Sequence, residues 1–229
     1  MKIHRFIGNF DLDTNPVVIS DTEVIHQMRS VLKLKVGEEI ILGNGQCDEV
    51  RATLTTIEKN NVVATVTEKY YNENESKLQT RLYLAILKRE NFELAVQKAV
   101  ETGVSEITPI ITARTVKTGL NMERLQKIIR EAAEQSGRGI IPILHEVKNF
   151  SDAVETCNPE ESIIFDASGI LFVKSQLSHV KSFFIGPEGG FTSEEIQLAT
   201  ANGFHIASLG TLTLRGETAA IVATYLLGQ

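Results

Sequence analysis

Apolar and polar positions along this 229-residue chain follow two different rhythms. Up to about residue 70 the rhythm is mostly that of strands. Val50, Ala52 and Leu54 alternate with Arg51, Thr53 and Thr55, the period of a half-buried strand. The run 39–42 ends at the turn signal Gly43-Asn44-Gly45, and Asn60-Asn61 precedes a β-branched run over 62–67. One helix is predicted over 21–32, with Val24, Ile25, Met28, Val31 and Leu32 on one face. Short strands at close spacing around a single helix predict a small barrel. Such barrels often bind nucleic acid; the alternative is a packing or dimerisation module. Tyr70-Tyr71-Asn72-Glu73-Asn74-Glu75-Ser76 is polar and aperiodic. It predicts a linker over 71–77, between a first domain over 1–70 and a second over 78–229.

From there strand and helix alternate. Strands are predicted over 81–87, 106–111, 140–144, 162–165, 182–185 and 205–209. Helices are predicted over 91–102, with Phe92, Ala95, Val96, Ala99 and Val100 on one stripe, and over 122–136, with Leu125, Ile128, Ile129, Ala132 and Ala133 inward. Gly103 and Gly137 end them as C′ glycines. Shorter helices fall over 151–156 and from Thr192, which has capping-box spacing to Glu195, to about Asn202. A last one covers 216–227. This alternation predicts an α/β domain around a mostly parallel, covered sheet.

Composition narrows the class. With 42% hydrophobic and 23% charged residues the chain is of globular type. No apolar run approaches the roughly 18 residues of a membrane span, and residues 1–5 lack the apolar core of a signal peptide. Cys47 and Cys157 lie far apart without metal-ligand spacing, so free thiols in a reducing cytoplasm, and no metal site, are expected. The net charge of −6 is uneven. Lys+Arg against Asp+Glu runs 7 to 9 over 1–59, 2 to 3 over 60–80, 10 to 7 over 81–138 and 4 to 10 over 139–229. The third segment alone is net basic; it offers either a phosphate-binding surface or a solvated helix face.

The candidate chemistry lies in two sharp loops after short strands. Phe183-Phe184-Ile185 breaks into Gly186-Pro187-Glu188-Gly189-Gly190, and Leu209-Gly210 leads through Thr211-Leu212-Thr213-Leu214-Arg215 into Gly216-Glu217. Ligands of open α/β sheets bind beyond the carboxyl ends of strands, and glycine lets backbone approach them. Neither Gly-x-Gly-x-x-Gly nor Gly-x4-Gly-Lys-Ser/Thr occurs. Pro187 offers no N–H and Glu188 repels phosphate, so a cationic or hydroxylated ligand fits better. The alternative is two tight turns of an ordinary core.

Gly186-Pro187-Glu188-Gly189-Gly190-Phe191-Thr192, Leu209-Gly210 and Leu214-Arg215-Gly216-Glu217-Thr218-Ala219 together resemble the RsmE family, the 16S ribosomal RNA uracil-N3 methyltransferases of the SPOUT class. His4-Arg5-Phe6, the 26–37 segment, Gln97-Lys98-Ala99-Val100-Glu101-Thr102-Gly103-Val104 and Glu131-Ala132-Ala133-Glu134-Gln135-Ser136-Gly137-Arg138 agree in order, over nearly the whole chain. Lys33 stands where the family has arginine, Thr213 where it has isoleucine or valine, and Gly216 where it has threonine.

The resemblance implies a PUA-like β-barrel followed by a trefoil-knotted SPOUT domain. It implies a cytoplasmic homodimer acting on 16S ribosomal RNA or the small ribosomal subunit, with S-adenosyl-L-methionine as cofactor. That ligand is cationic and phosphate-free, which suits the loops. The implied cofactor residues are Phe165, Ile185, Gly186, Glu188, Gly190, Leu209, Gly210, Leu212 and Leu214. Uracil N3 must lose its proton before it can accept a methyl group. Arg215 is the candidate for stabilising the resulting anion, with Glu217 and Glu188 as candidate bases. Arg5, Arg29, Lys33, Lys88, Arg89, Lys98, Arg114 and Arg138 are the expected RNA contacts. A SPOUT enzyme acting on a ribose 2′-hydroxyl and a non-catalytic RNA-binding assembly protein remain the rivals.

Overall fold

The computed structural model describes residues 3–116, 119–173 and 180–228. The chain forms two compact units, one of Met1–Glu75 with Ala133–Ile141, the other of Ser76–Ala132 with Pro142–Gln229.

The first unit is built on five strands, β1 (His4–Ile7), β2 (Val17–Ile19), β3 (Glu39–Gly43), β4 (Asp48–Ile57) and β5 (Val62–Tyr71), in the order β1-β3-β4-β5-β2. Only β1 and β3 pair in parallel. The alternation in β4 works as expected: Val50, Ala52 and Leu54 are buried with Phe6, Ile40, Leu42, Val62 and Ala64 in one core. The helix α1 (Thr22–His26) starts where Asp21 accepts hydrogen bonds from the Glu23 and Val24 N–H groups, at 2.8 and 3.1 Å. It continues as a π-helical turn over Gln27–Val31. The wider turn shifts the helical phase. Met28 stays fully buried and Leu32 packs partly buried against the core, but Val31 is 64% exposed and leaves the predicted face.

The stretch expected to be linker begins as strand. Tyr70 and Tyr71 pair with Glu49 and Asp48 at the end of β5. The 133–141 segment also belongs to the first unit, although linear order places it in the second. Its polar groups explain this. Glu134 Oε1 accepts from the Ile7 N–H at 2.9 Å, and Cys47 N–H donates to the Gly139 carbonyl at 3.0 Å. Glu75 Oε1 accepts from the N–H groups of Gly139 and Ile140.

In the second unit the chain runs β6 (Arg81–Ala85), α2 (Arg89–Glu101), β7 (Glu106–Ile111), α3 (Met122–Ser136), β8 (Ile143–Leu144), β9 (Lys148–Asn149), α4 (Phe150–Thr156), β10 (Ser162–Leu171), β11 (Ser182–Ile185), α5 (Ser193–Ala201), β12 (His205–Ser208) and α6 (Gly216–Gly228). The last turn of α3 counts with the first unit. The sheet order is β12-β10-β11-β6-β7-β8, with β9 also on β7, and every pairing is parallel. The carboxyl ends of β6, β10, β11 and β12 therefore share one edge.

One face packs Tyr83, Ala85, Ile164 and Phe184 against α4 and α5, with Tyr83 and Phe184 stacked at 4.3 Å. Their neighbours Leu82, Leu84 and Phe183 are buried toward α6, which packs on β6, β11 and α2. β10 is longer than the four residues expected. Phe165 and Ile170 both align with Ala207, so residues 166–169 bulge out and the strand then resumes.

Candidate functional site

The edge is assembled from short connections. After β11, Gly190 N–H donates to the Pro187 carbonyl at 2.8 Å, closing a tight turn with Gly190 at φ +69°. A Cβ on Gly186 would lie 3.1 Å from the Phe191 ring, so the loop packs closely on that side chain. Phe191 in turn rests on Phe150, with ring centroids 5.3 Å apart. Thr192 and Glu195 form the predicted capping box at the start of α5. Glu195 Oε1 also accepts from Ala113 N–H at 2.8 Å, which ties α5 to the connection after β7. After β12, the Ser208 hydroxyl donates to the Gly210 carbonyl and accepts from the Gly210 N–H, at 2.7 and 3.2 Å. Gly210 has φ +153°, which side-chain-bearing residues rarely adopt.

These connections meet. Glu188 Oε1 accepts from Lys88 N–H at 3.1 Å, at the start of α2. The carboxylate thus satisfies an orphan donor and complements the helix dipole. A Cβ on Gly216 would stand 2.8 Å from Leu87 Cδ2 and 3.4 Å from the Gly186 carbonyl. Glycine at this position therefore lets α6 begin directly against Leu87 and the 186–190 loop. Arg114 Nη1 donates to the carbonyls of Gly189 and Phe191.

Among the predicted cofactor residues, Gly186, Glu188 and Gly190 lie on one loop and Leu209, Gly210, Leu212 and Leu214 on the other. Leu212 is 80% exposed, and Leu209 and Leu214 are half-buried. Phe165 is buried within β10 just before its bulge and Ile185 at the end of β11, and the Phe165 ring meets Phe172 edge-on at 5.4 Å. A surface hollow of about 280 Å³ lined by Ile111, Phe150, Glu194 and Leu198 includes none of them. Arg215 is exposed immediately before α6. Glu217, in the first turn of α6, is buried, and its Oε2 has no hydrogen-bond partner among the described residues.

The expected RNA cations divide by environment. Arg5 makes a two-pronged pair with the buried Glu49, at 3.0 and 3.1 Å. Arg138, 6% exposed, pairs with Glu75 at 2.7 Å. Both are structural ties inside the first unit, a role that spacing along the chain does not reveal. Arg29 and Lys33 are exposed there, Lys33 at φ +54° just past the helix. In the second unit Lys88, Arg89 and Arg114 are exposed, while Lys98 is half-buried against Glu101. Arg89 and Arg124 share Glu93, whose carboxyl is held down at about 2, chiefly by its bond from Arg124.

Gly169 was not singled out from the sequence. A Cβ there would fall 2.5 Å from the Ala207 nitrogen. A glycine inside an apolar strand-like run is the signal that marks such close approaches.

The second unit thus carries a parallel sheet with two glycine-bearing loops at its carboxyl edge, and the first is a small β unit. The family model described as RNA methyltransferase domain matches residues 74–228, and that described as RNA methyltransferase PUA domain matches residues 19–67. The ribosomal RNA small subunit methyltransferase E of Rickettsia conorii is 33% identical over 97% of this chain and 94% of its own. That of Mesomycoplasma hyopneumoniae is 37% identical over 73% and 77%. The chain belongs to the ribosomal RNA small subunit methyltransferase E family. Its fold superposes on the crystal structure of the Neisseria gonorrhoeae member bound to S-adenosyl methionine, with a TM-score of 0.88, 29% identity, and 97% and 95% of the two chains covered. A Legionella pneumophila protein in complex with the bound cofactor SAM superposes with a TM-score of 0.89, at 30% identity over 99% and 97%.

The loop geometry makes a direct prediction. Gly186→Val adds branched carbons where a single Cβ already sits 3.1 Å from the buried Phe191 ring. Overpacking of this kind costs about 1–3 kcal/mol, so affinity for S-adenosylhomocysteine is expected to fall roughly tenfold or more. Calorimetry returning wild-type affinity would show that this loop does not shape the site.

Proposed function

We propose that this chain transfers a methyl group from S-adenosylmethionine to N3 of one uridine in small-subunit ribosomal RNA, in the cytoplasm and as a homodimer with a knotted C-terminal domain. The observation that carries the reading is the edge where the 186–190 loop, the start of α2 and the start of α6 meet, with the 209–214 loop leading into α6. The residues present fit the cofactor. Gly186 and Gly216 keep the backbone bare at the close approaches, and an unpaired carboxylate oxygen suits a cationic ligand. The two loops would hold it, and its sulfonium supplies an electrophilic methyl group.

The chain's own task is the uracil. The N3–H bond must break before or as the N3–methyl bond forms, and the proton passes to solvent water at this open edge. Arg215 is exposed at this edge and permanently charged, so it can stabilise negative charge spreading over the uracil oxygens. One Glu188 oxygen is engaged in capping α2, which makes that residue a positioning group for the loop. Mapping of modified nucleosides by mass spectrometry in ribosomal RNA from a strain lacking the protein tests the reading. Loss of N3-methyluridine from the small subunit is expected. Loss of a ribose methylation instead, or no loss at all, would overturn it.

The homodimer proposal rests on α6. Ile221, Val222 and Leu226 are only half-buried and Tyr225 is 55% exposed, more apolar surface than one packed face leaves open. Light scattering is expected to give twice the chain mass, about 50 kDa from a 25.3 kDa chain. A fully active monomer would refute it.

RNA capture is assigned to the exposed Arg29, Lys33, Lys88, Arg89 and Arg114. Arg89→Ala is expected to flatten the dependence of log affinity on log salt by about 0.7–0.9 and to leave folding intact. Arg138→Ala breaks a buried pair and is expected to cost about 3 kcal/mol of stability. Denaturant titration and salt-dependent RNA binding separate the two. A stable Arg138→Ala protein with a flattened salt slope would return Arg138 to the RNA surface.

A further inference from the structure

The unpaired oxygen of Glu217 is still without a named partner. Its side chain is 7% exposed and its Oε2 is enclosed without a hydrogen-bond partner among the described residues. Arg51 Nε, Asn61 Oδ1 and Thr80 Oγ1 share that condition, but Glu217 is the one acid among them and the one in the carboxyl-edge cluster. An enclosed carboxylate without a counter-charge is strongly unfavourable unless something arrives to pair with it. The first turn of α6 favours negative charge there. The residue follows Gly216, where a Cβ would stand against Leu87 and the Gly186 carbonyl, so Glu217 lies one position from the place where α6 begins against the 186–190 loop.

The geometry points to Glu217 Oε2 as the acceptor for the ammonium group of the bound S-adenosyl ligand; this rests on the cofactor reading above. Such a ligand offers hydrogen-bond donors on its adenine amine, its ribose hydroxyls and its ammonium group. The first two are neutral. The sulfonium carries charge but has no proton to donate. The ammonium alone brings a donor and a positive charge together, and so both pairs the oxygen and neutralises the carboxylate. Glu217 on this account is a cofactor-binding residue, distinct from Arg215 in the chemistry.

The test is calorimetry on wild type and Glu217→Gln with two probes, S-adenosylhomocysteine and 5′-methylthioadenosine. The first keeps the ammonium and lacks the sulfonium charge. The second keeps adenine and ribose and lacks the amino-acid arm. Glu217→Gln is expected to weaken S-adenosylhomocysteine by roughly 10- to 100-fold and to change 5′-methylthioadenosine by less than about twofold. The ligand-free variant is also expected to melt above wild type, because an unpaired buried charge has been removed. Equal weakening of both probes would assign the oxygen to the ribose or to general packing, and overturn the proposal. Unchanged S-adenosylhomocysteine affinity would overturn it as well, pointing to a catalytic base if methylation is lost and to a donor from RNA or a second copy if it is not. A lower melting temperature would make Glu217 a stabilising group and overturn it too. Wild-type protein that binds neither probe would overturn the cofactor reading itself, and this assignment with it.

Discussion

Arg215→Ala is expected to lower the methylation rate at saturating RNA by roughly 10²–10³-fold, the usual cost of removing one group that stabilises a developing oxyanion. The effect should appear in kcat, with RNA affinity falling by no more than one cation contact, because the interaction strengthens as charge develops. Affinity for S-adenosylhomocysteine should stay at the wild-type value. Arg215→Lys keeps the charge and loses the planar fork, so an intermediate rate is expected. The assignment depends on where Arg215 stands. It is exposed immediately before Gly216, whose backbone touches both Leu87 and the Gly186 carbonyl. Wild-type turnover by Arg215→Ala once RNA is saturating would remove Arg215 from the chemistry.

Gly169→Ala is expected to destabilise the second unit by forcing two paired strands apart. The added Cβ would lie 2.5 Å from the Ala207 nitrogen, 2.6 Å from the Ala207 Cα and 2.6 Å from the Ile206 carbonyl carbon. These are backbone atoms of a paired strand, so no side chain can swing aside. Relief requires separating the resumed part of β10 from β12, where Ile170 and Leu171 align with Ala207 and Ser208. We expect a loss of roughly 3 kcal/mol, the upper end for overpacking, and a melting temperature lower by about 6–12 °C. Of these strands β12 leads into the 209–214 loop, so cofactor affinity should fall with it. A variant that melts within about 1 °C of wild type would mean that β10 and β12 are not held this close.

Local rules reached far along this chain. The helix over 122–136 and the strand over 106–111 have the predicted bounds, because an apolar stripe that recurs at the helical or strand period has one face to bury. The Thr192–Glu195 box was legible because both partners lie within one turn. The two glycine-bearing loops were legible from composition alone, and the resemblance carried by their residues named the family and the cofactor that the comparisons support.

What chain order could not express was decided by partners far apart in sequence. Arg5 and Arg138 read as free cations, but Glu49 and Glu75 stand 44 and 63 residues away and bury them. Val31 left its predicted face because one π turn shifted the phase of the helix. The 133–141 segment joined the first unit through bonds to Ile7, Cys47 and Glu75, none of which periodicity can pair with it. Gly169 is required by the backbone of β12, and Gly216 leaves room for the Leu87 side chain from another loop. The isolated Glu217 oxygen exists only once the fold has closed around it. Periodicity reports which face of an element is apolar, and that belongs to the sequence. Which charge meets which, and which carboxylate meets none, depends on distances across the folded chain, and those only the tertiary structure sets.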